Sequence, residues 1–250
     1  MSLWNPDVDH LLKVRIEDSS GDPEADLMAG VRLLEAVREG REPATLRLYR
    51  PDPTVAFGQR DVRVEGYDRA VAQSMEHGFV PVVRKAGGRA AAYHRGTVIV
   101  DHVEPATEAM MGHQLRFKAL GKLYAEALCR PGIDARLGEI PGEYCAGEYS
   151  VHGLPGNGAA VEHPVKLVGT AQRVVSGAWL FSSVFVIEDS APIRGVLDTV
   201  YRAMEIDMDP ATVGAADDLL PGYTVDAFVT DLLAEYGSHA QLRRGRSVNG

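Results

Sequence analysis

Two strand-like runs, Val165–Val175 and Ala178–Ile187, are separated by Ser176 and Gly177 alone. So short a connection favours an antiparallel partner, because parallel pairing needs a crossover of a dozen or more residues. TLRLYR (45–50) and TVAFGQ (54–59) also read as short strands, around a Pro-Asp-Pro turn. FVPVVR (79–84) and segments near 133–137 and 147–152 add further strands. Helices are interleaved with them. Asp22-Pro23 gives an N-cap and first position for a helix with Leu27, Val31, Leu34 and Val37 on one face, stopped by Gly40. Further helices are expected from Asp68 to Gly78, over 106–129 before Pro131-Gly132, from Pro192 to Met204 and from Thr224 to Tyr236. The expected fold class is therefore α+β: a mixed, largely antiparallel sheet flanked by helices.

The net charge of -9 argues against nucleic acid as a partner, since neutralising phosphates requires an excess of Lys and Arg. No apolar run reaches the length of a membrane span, and MSLWNPDVDH has no signal-peptide pattern, so a cytoplasmic protein with no membrane partner is expected. Cys129 and Cys145 make no disulfide framework, and the eight histidines show no metal-ligand pairing, so no protein-held metal is expected.

Chemistry concentrates in two stretches. In VVRKAGGRAAAYH (82–94), Gly87-Gly88 lets the backbone turn and expose N–H groups, while Arg84, Lys85 and Arg89 surround it with positive charge. A phosphate or carboxylate suits such a turn, although a plain hairpin with exposed cations has the same composition. In VKLVGTAQRVV (165–175), Lys166 stands inside an apolar strand in a chain with five lysines and 21 arginines. It can bind a carboxylate or acyl group there, or snorkel from a strand edge to water.

Taken in order, FGQR (57–60), VVRKAGGRAAAYH (82–94) and KLVGTAQR (166–173) resemble three signatures of the lipoate-protein ligase A and octanoyltransferase family, within the biotin/lipoate ligase superfamily. The opening segment DPEADLMAGVRLLEAVREGREPATLRLYR is similar as well, so the likeness runs from about residue 22 to 204. It implies a biotin/lipoate ligase-like catalytic domain over 1–206. Residues 207–250 then form a short extension, with one helix and a basic tail (QLRRGRSVNG) expected to be disordered, too short for a full accessory domain.

The resemblance implies an acyl-transfer enzyme that attaches lipoyl or octanoyl groups to a lysine of a carrier domain. The leading expectation is a ligase working through an acyl-adenylate, with ATP and Mg²⁺ as cofactors. The carriers would be lipoyl domains of 2-oxoacid dehydrogenases or the glycine cleavage H protein. Lys166 would hold the acyl carbonyl, and Arg84, Gly87, Gly88 and Arg89 would line the acyl and phosphate region. Tyr93 and His94 match the terminal Tyr-His of the loop, Gly169 and Thr170 lie beside the lysine, and Val168 would wall the acyl tunnel. His94 can equally pack and bond to backbone. The loop departs from the family pattern, with Gly87-Gly88-Arg89-Ala90 in place of Ser-Gly-Gly-Gly and Arg95-Gly96-Thr97 after the histidine.

Two alternatives stand beside the ligase. One is an octanoyltransferase that takes octanoate from acyl carrier protein through a thioester on Cys145, which sits in GEYCAGEYS (142–150) upstream of Lys166 and needs no cofactor. A small buried thiol is the competing account of Cys145. The other alternative is a silent acyl- or nucleotide-binding homologue. Biotin is the weaker substrate, because the biotin ligase loop pattern is absent.

Overall fold

The computed structural model describes residues 11–85, 87–106 and 112–245. In chain order the strands and helices are β1 (Leu11–Asp18), α1 (Pro23–Arg38), β2 (Thr45–Arg50), β3 (Thr54–Phe57), α2 (Tyr67–Glu76), β4 (Val80–Val83), β5 (Ala91–Tyr93) and β6 (Thr97–Ala106). These are followed by α3 (His113–Cys129), β7 (Asp134–Leu137), β8 (Val151–Leu154), β9 (Val165–Val175), β10 (Gly177–Val186), α4 (Ser190–Ala203), α5 (Ala216–Leu219), α6 (Val225–Gly237) and β11 (Gln241–Arg244).

The main sheet runs β11-β1-β2-β6-β10-β9-β8-β7, and a smaller sheet runs β4-β3-β5. β9 and β10 form the expected hairpin, with Ser182 opposite Ala171. From β2 to β7 the large sheet is antiparallel throughout. Only β11, β1 and β2 pair in parallel there, and β3 with β4 in the smaller sheet. The parallel pairs β1/β2 and β3/β4 are each joined by a helix, α1 and α2, as crossovers require. β2 and β3 do not pair with each other. Pro51 and Pro53 supply no N–H for a ladder, and the turn between them carries the chain from one sheet to the other.

α1 begins as its sequence indicates. The Asp22 carboxylate accepts from the N–H groups of Glu24 and Ala25 at 3.1 Å, and Gly40 adopts the left-handed conformation beyond the helix end. On the opposite face of the large sheet, α3 and α6 bury Leu120, Tyr124, Phe228, Leu232 and Tyr236 against Val98, Val100, Phe181 and Phe185. A second core joins β3 and β5 to α4 through Val55, Phe57, Ile193 and Val200.

Several expected boundaries move. Ala106 ends β6 instead of opening a helix, α3 begins at His113, and residues 107–111 of the expected helix lie outside the described residues. Residues 147–150 form a turn, and the strand starts at Val151. β1 is an element the sequence reading did not name. The tail is also different: Gln241–Arg244 adds a strand to the free edge of β1, which offers a row of unpaired backbone groups. Residues 246–250 of the tail lie outside the described residues. α5 and α6 belong to the main core through Ala216, Leu219, Phe228 and Tyr236, so the packing shows no boundary near 207. Among the described residues no helix is long and apolar enough to cross a membrane.

α1 lies close on the sheet because of one glycine. A Cβ at Gly30 would sit 2.6 Å from Oδ2 of Asp101, a buried carboxylate fixed by Arg47 and Ser182. Gly30→Ala is expected to lower stability by about 1–3 kcal/mol through overpacking, read as a reduced urea midpoint with unchanged slope.

Candidate active site

The site is organised by a buried carboxylate that the sequence reading passed over. Glu143 follows Gly142, whose φ is 82°, in the turn before β8, and its side chain is fully buried. Its Oε2 accepts from the Ile140 N–H at 3.1 Å, and its Oε1 accepts from Ser150 Oγ at 2.6 Å and from the Gly147 N–H at 3.3 Å. A buried carboxylate with this many donors holds the surrounding backbone in one conformation.

Lys166 completes the arrangement from β9. Its Nζ lies 2.9 Å from Glu143 Oε1, from the Tyr144 carbonyl and from the Cys145 carbonyl, and 4.8 Å from the centre of the Tyr144 ring. The side chain is 1% exposed, so it does not snorkel. An ammonium has three protons, and each has an acceptor here. Lys166 therefore reaches the cavity wall, but in this conformation it grips the Cys145 segment and points no free donor at an acyl head.

Cys145 is held from several sides. Its φ of 45° is left-handed, a region uncommon for residues other than glycine. The N–H of Cys145 donates to Tyr201 Oη at 2.8 Å, and that hydroxyl donates to the Ala90 carbonyl at 2.9 Å. Sγ accepts from the Arg89 N–H at 3.1 Å and faces Arg84 Nη2 at 3.5 Å. The sulfur is thus fixed between a backbone donor and a guanidinium. Burial works against the Arg84 charge, yet the Tyr93 phenol and the Cys145 thiol beside it hold the guanidinium above its usual range.

The glycine loop packs directly on this sulfur. Gly88 has φ 102°, and a Cβ there would come within 2.8 Å of Sγ and 2.5 Å of Arg84 Nη2. Gly58, in the FGQR stretch, faces the same loop, and a Cβ on it would collide with the Gly88 carbonyl at 1.9 Å. Space around Gly87 is open, so only the second glycine of the pair is sterically required. Gln59 Nε2 donates to the Arg84 carbonyl at 3.0 Å. Asp61, fully buried, accepts from the Gly58 N–H at 2.8 Å and pairs with Arg89 Nη1 at 3.1 Å. The Arg84 guanidinium also donates to the Arg89 carbonyl at 2.7 Å.

These groups share a cavity of about 310 Å³. Lys166, Cys145, Arg84, Gly87, Gly88, Tyr93, Gly169 and Thr170 line it, as do apolar side chains of α1, β10 and α3 such as Leu27, Val31, Val184 and Phe117. Arg89 reaches it only through its N–H on the sulfur. Two expected residues lie elsewhere. His94 accepts from the Gly96 N–H at Nδ1, 2.9 Å, so its Nε2 carries the proton that it donates to the Asp189 carbonyl at 2.7 Å; the ring is a backbone brace outside the cavity. Val168 is buried in the core on the opposite face of the sheet. A bulge explains it: Lys166 pairs with His152 but Val168 pairs with the adjacent Val151, so β9 carries one extra residue and the side-chain alternation slips. Lys166 and Gly169 consequently face the cavity, and Leu167 and Val168 both face the core.

Comparison with known proteins identifies the family and the fold. The sequence profile described as the lipoyl protein ligase A/B catalytic domain matches residues 22–237. An octanoyl-[GcvH]:protein N-octanoyltransferase of Geobacillus kaustophilus (strain HTA426) is 28% identical over 202 residues, covering 80% of this chain and 67% of that protein. A lipoyl-[GcvH]:protein N-lipoyltransferase of Listeria monocytogenes is 24% identical over 194 residues, covering 75% of this chain and 68% of the relative. The match to a further octanoyltransferase, from Anoxybacillus flavithermus, spans 49% of that relative's length. A crystal structure of lipoate-protein ligase A bound with ATP shares the fold, with a TM-score of 0.69 at 18% identity over 95% of this chain and 89% of the other. So does a T. acidophilum structure with bound lipoic acid, with a TM-score of 0.69 at 17% identity over the same shares of the two chains. A sulfur and a buried lysine meeting at an apolar cavity, on this fold and within this matched span, lead to one conclusion: the chain belongs to the lipoyl protein ligase A/B catalytic domain family.

Proposed function

We propose that this chain transfers an octanoyl or lipoyl group to a lysine of a GcvH-type carrier domain by way of a thioester on Cys145. The observation that carries this reading is the position of Cys145 Sγ, at the cavity and between the Arg89 N–H and the Arg84 guanidinium. The curated relatives, named as octanoyl- and lipoyl-GcvH transferases, support the acyl group and the carrier.

In the first step the sulfur attacks the carbonyl carbon of an acylated carrier. A C–S bond forms, the bond from the carbonyl to the carrier breaks, and the thiol proton leaves with the carrier's nitrogen or sulfur. In the second step the amine of an acceptor lysine attacks the thioester; an amide forms and the sulfur recovers a proton. Lys166 acts as a positioning residue, because its hydrogen bonds to Glu143 and to the Tyr144 and Cys145 carbonyls hold the segment that bears the sulfur. The apolar flank of Leu27, Met28, Val31 and Val184 holds the hydrocarbon chain away from water.

The acyl-adenylate route draws support from the fold shared with an ATP-bound ligase. Against it, two of the three loop cations that would meet a triphosphate with its Mg²⁺ are engaged, Arg89 with Asp61 and Arg84 with the sulfur and the Arg89 carbonyl, which leaves Lys85 at the cavity. These pairings favour the thioester.

Incubation with an octanoylated glycine cleavage H protein is expected to give an acyl adduct on Cys145 by intact mass. Cys145→Ser is expected to lose the adduct and at least about 10²-fold of transfer; undiminished transfer by the serine variant sinks the thioester, and ATP–pyrophosphate exchange driven by octanoate or lipoate restores the ligase. Lys166→Ala strands the Glu143 carboxylate. It is expected to cost about 3–5 kcal/mol of stability and to reduce kcat/KM by orders of magnitude, checked by denaturant melts and carrier acylation rates side by side.

A further inference from the structure

The cavity does not end in hydrocarbon. Its floor crosses the large sheet from Lys166 on β9, past Ser182 on β10 and Asp101 on β6, to Tyr49 on β2, with neighbouring strands about 4.8 Å apart. Cys145 is held at the β9 side by Lys166, so β2 lies at the other end of this floor.

The polar groups at the β2 end are not equivalent. Each oxygen of Asp101 already has a donor: Oδ2 takes Arg47 Nη1 at 2.9 Å and Oδ1 takes Ser182 Oγ at 2.7 Å. Tyr49 differs. It is 2% exposed, its ring lies 4.1 Å from the Arg47 guanidinium carbon, and it lines the cavity. Among the described residues its hydroxyl makes no hydrogen bond, and the same holds for Tyr144 beside Cys145 at the other end of the cavity, whereas the buried hydroxyls of Tyr124, Tyr201, Tyr223 and Tyr236 have partners, so at the β2 end Tyr49 is the unpartnered donor. Burial, with Asp101 nearby, pushes the Tyr49 phenol well above its ordinary range, so it remains a donor. A buried donor facing a ligand cavity without a partner is suited to an acceptor on the ligand.

We infer that Tyr49 reads the far end of the acyl chain, donating a hydrogen bond to a lone-pair atom carried there, either oxygen or sulfur. The preferred substrates are then acyl groups with an apolar stem and a hydrogen-bond-accepting tip, and a plain hydrocarbon tip leaves the phenol unpaired. This inference rests on the acyl-transfer reading and narrows its substrate.

The test uses N-acetylcysteamine thioesters of octanoic, 8-hydroxyoctanoic and lipoic acids, with the rate of Cys145 acylation followed by intact mass. The wild type is expected to react about 3- to 10-fold faster with at least one of the tipped chains than with octanoyl, the worth of a single neutral hydrogen bond. Tyr49→Phe is expected to bring that ratio close to one. Preference for hydroxyoctanoyl alone identifies an oxygen acceptor, and preference for lipoyl alone a sulfur acceptor. Equal or faster reaction with octanoyl in the wild type, or a ratio that survives in Tyr49→Phe, overturns the inference. If none of the thioesters modifies Cys145, the transfer reading fails instead. Calorimetric Kd values for the three free acids, with wild type and Tyr49→Phe, then decide the Tyr49 inference by the same ratio.

Discussion

The site depends on one buried ion pair. Lys166 and Glu143 lie on different segments, both sealed from water, and removing two charges from water is costly unless they meet each other and further hydrogen-bonding groups. Both conditions hold: the lysine has three acceptors, and the carboxylate takes two backbone N–H groups and a serine hydroxyl besides the lysine. A pair of this kind is a weak source of stability but a strong source of specificity, since few backbone arrangements satisfy all its members. Here the backbone it selects is that of Tyr144 and Cys145, including the left-handed conformation of the cysteine.

Three stretches separated in sequence then close on that cysteine. The Gly58 backbone presses on the Gly88 carbonyl, Gly88 presses on the sulfur, and Asp61 ties the first stretch to Arg89. The replacement of loop glycines by Arg89 and Ala90 acquires a physical meaning here. The arginine at this position sends its side chain away from the cavity to a buried aspartate, and its N–H toward the sulfur. The glycine needed for close approach, Gly88, is retained.

Much of this was legible in the chain, for local reasons. The helices carry caps and apolar periodicity, the β9–β10 hairpin is dictated by its two-residue connection, and the lysine in an apolar strand stands out by composition. What escaped was non-local or depended on register. Glu143 lies 23 residues before its lysine, and nothing in GEYCAGEYS marks the glutamate over its neighbours. Val168 was misplaced because a bulge shifts alternation by one residue, which cannot be seen without the partner strand. His94 fits the family's pattern by position, yet the turn through Gly96 directs its ring to backbone groups. The tail strand β11 escaped because its basic composition hides a pairing supplied entirely by main-chain groups of β1.

The Tyr201 hydroxyl has a mechanical consequence. One oxygen on α4 joins the cysteine backbone to the Ala90 carbonyl, so the wall that bears the sulfur and the wall formed by the glycine loop are bolted together and behave as a single stiff jaw. The α1 wall meets the cavity through packed aliphatic groups. Whatever chain enters the pocket therefore meets the sulfur and the loop glycines in a fixed relation to one another.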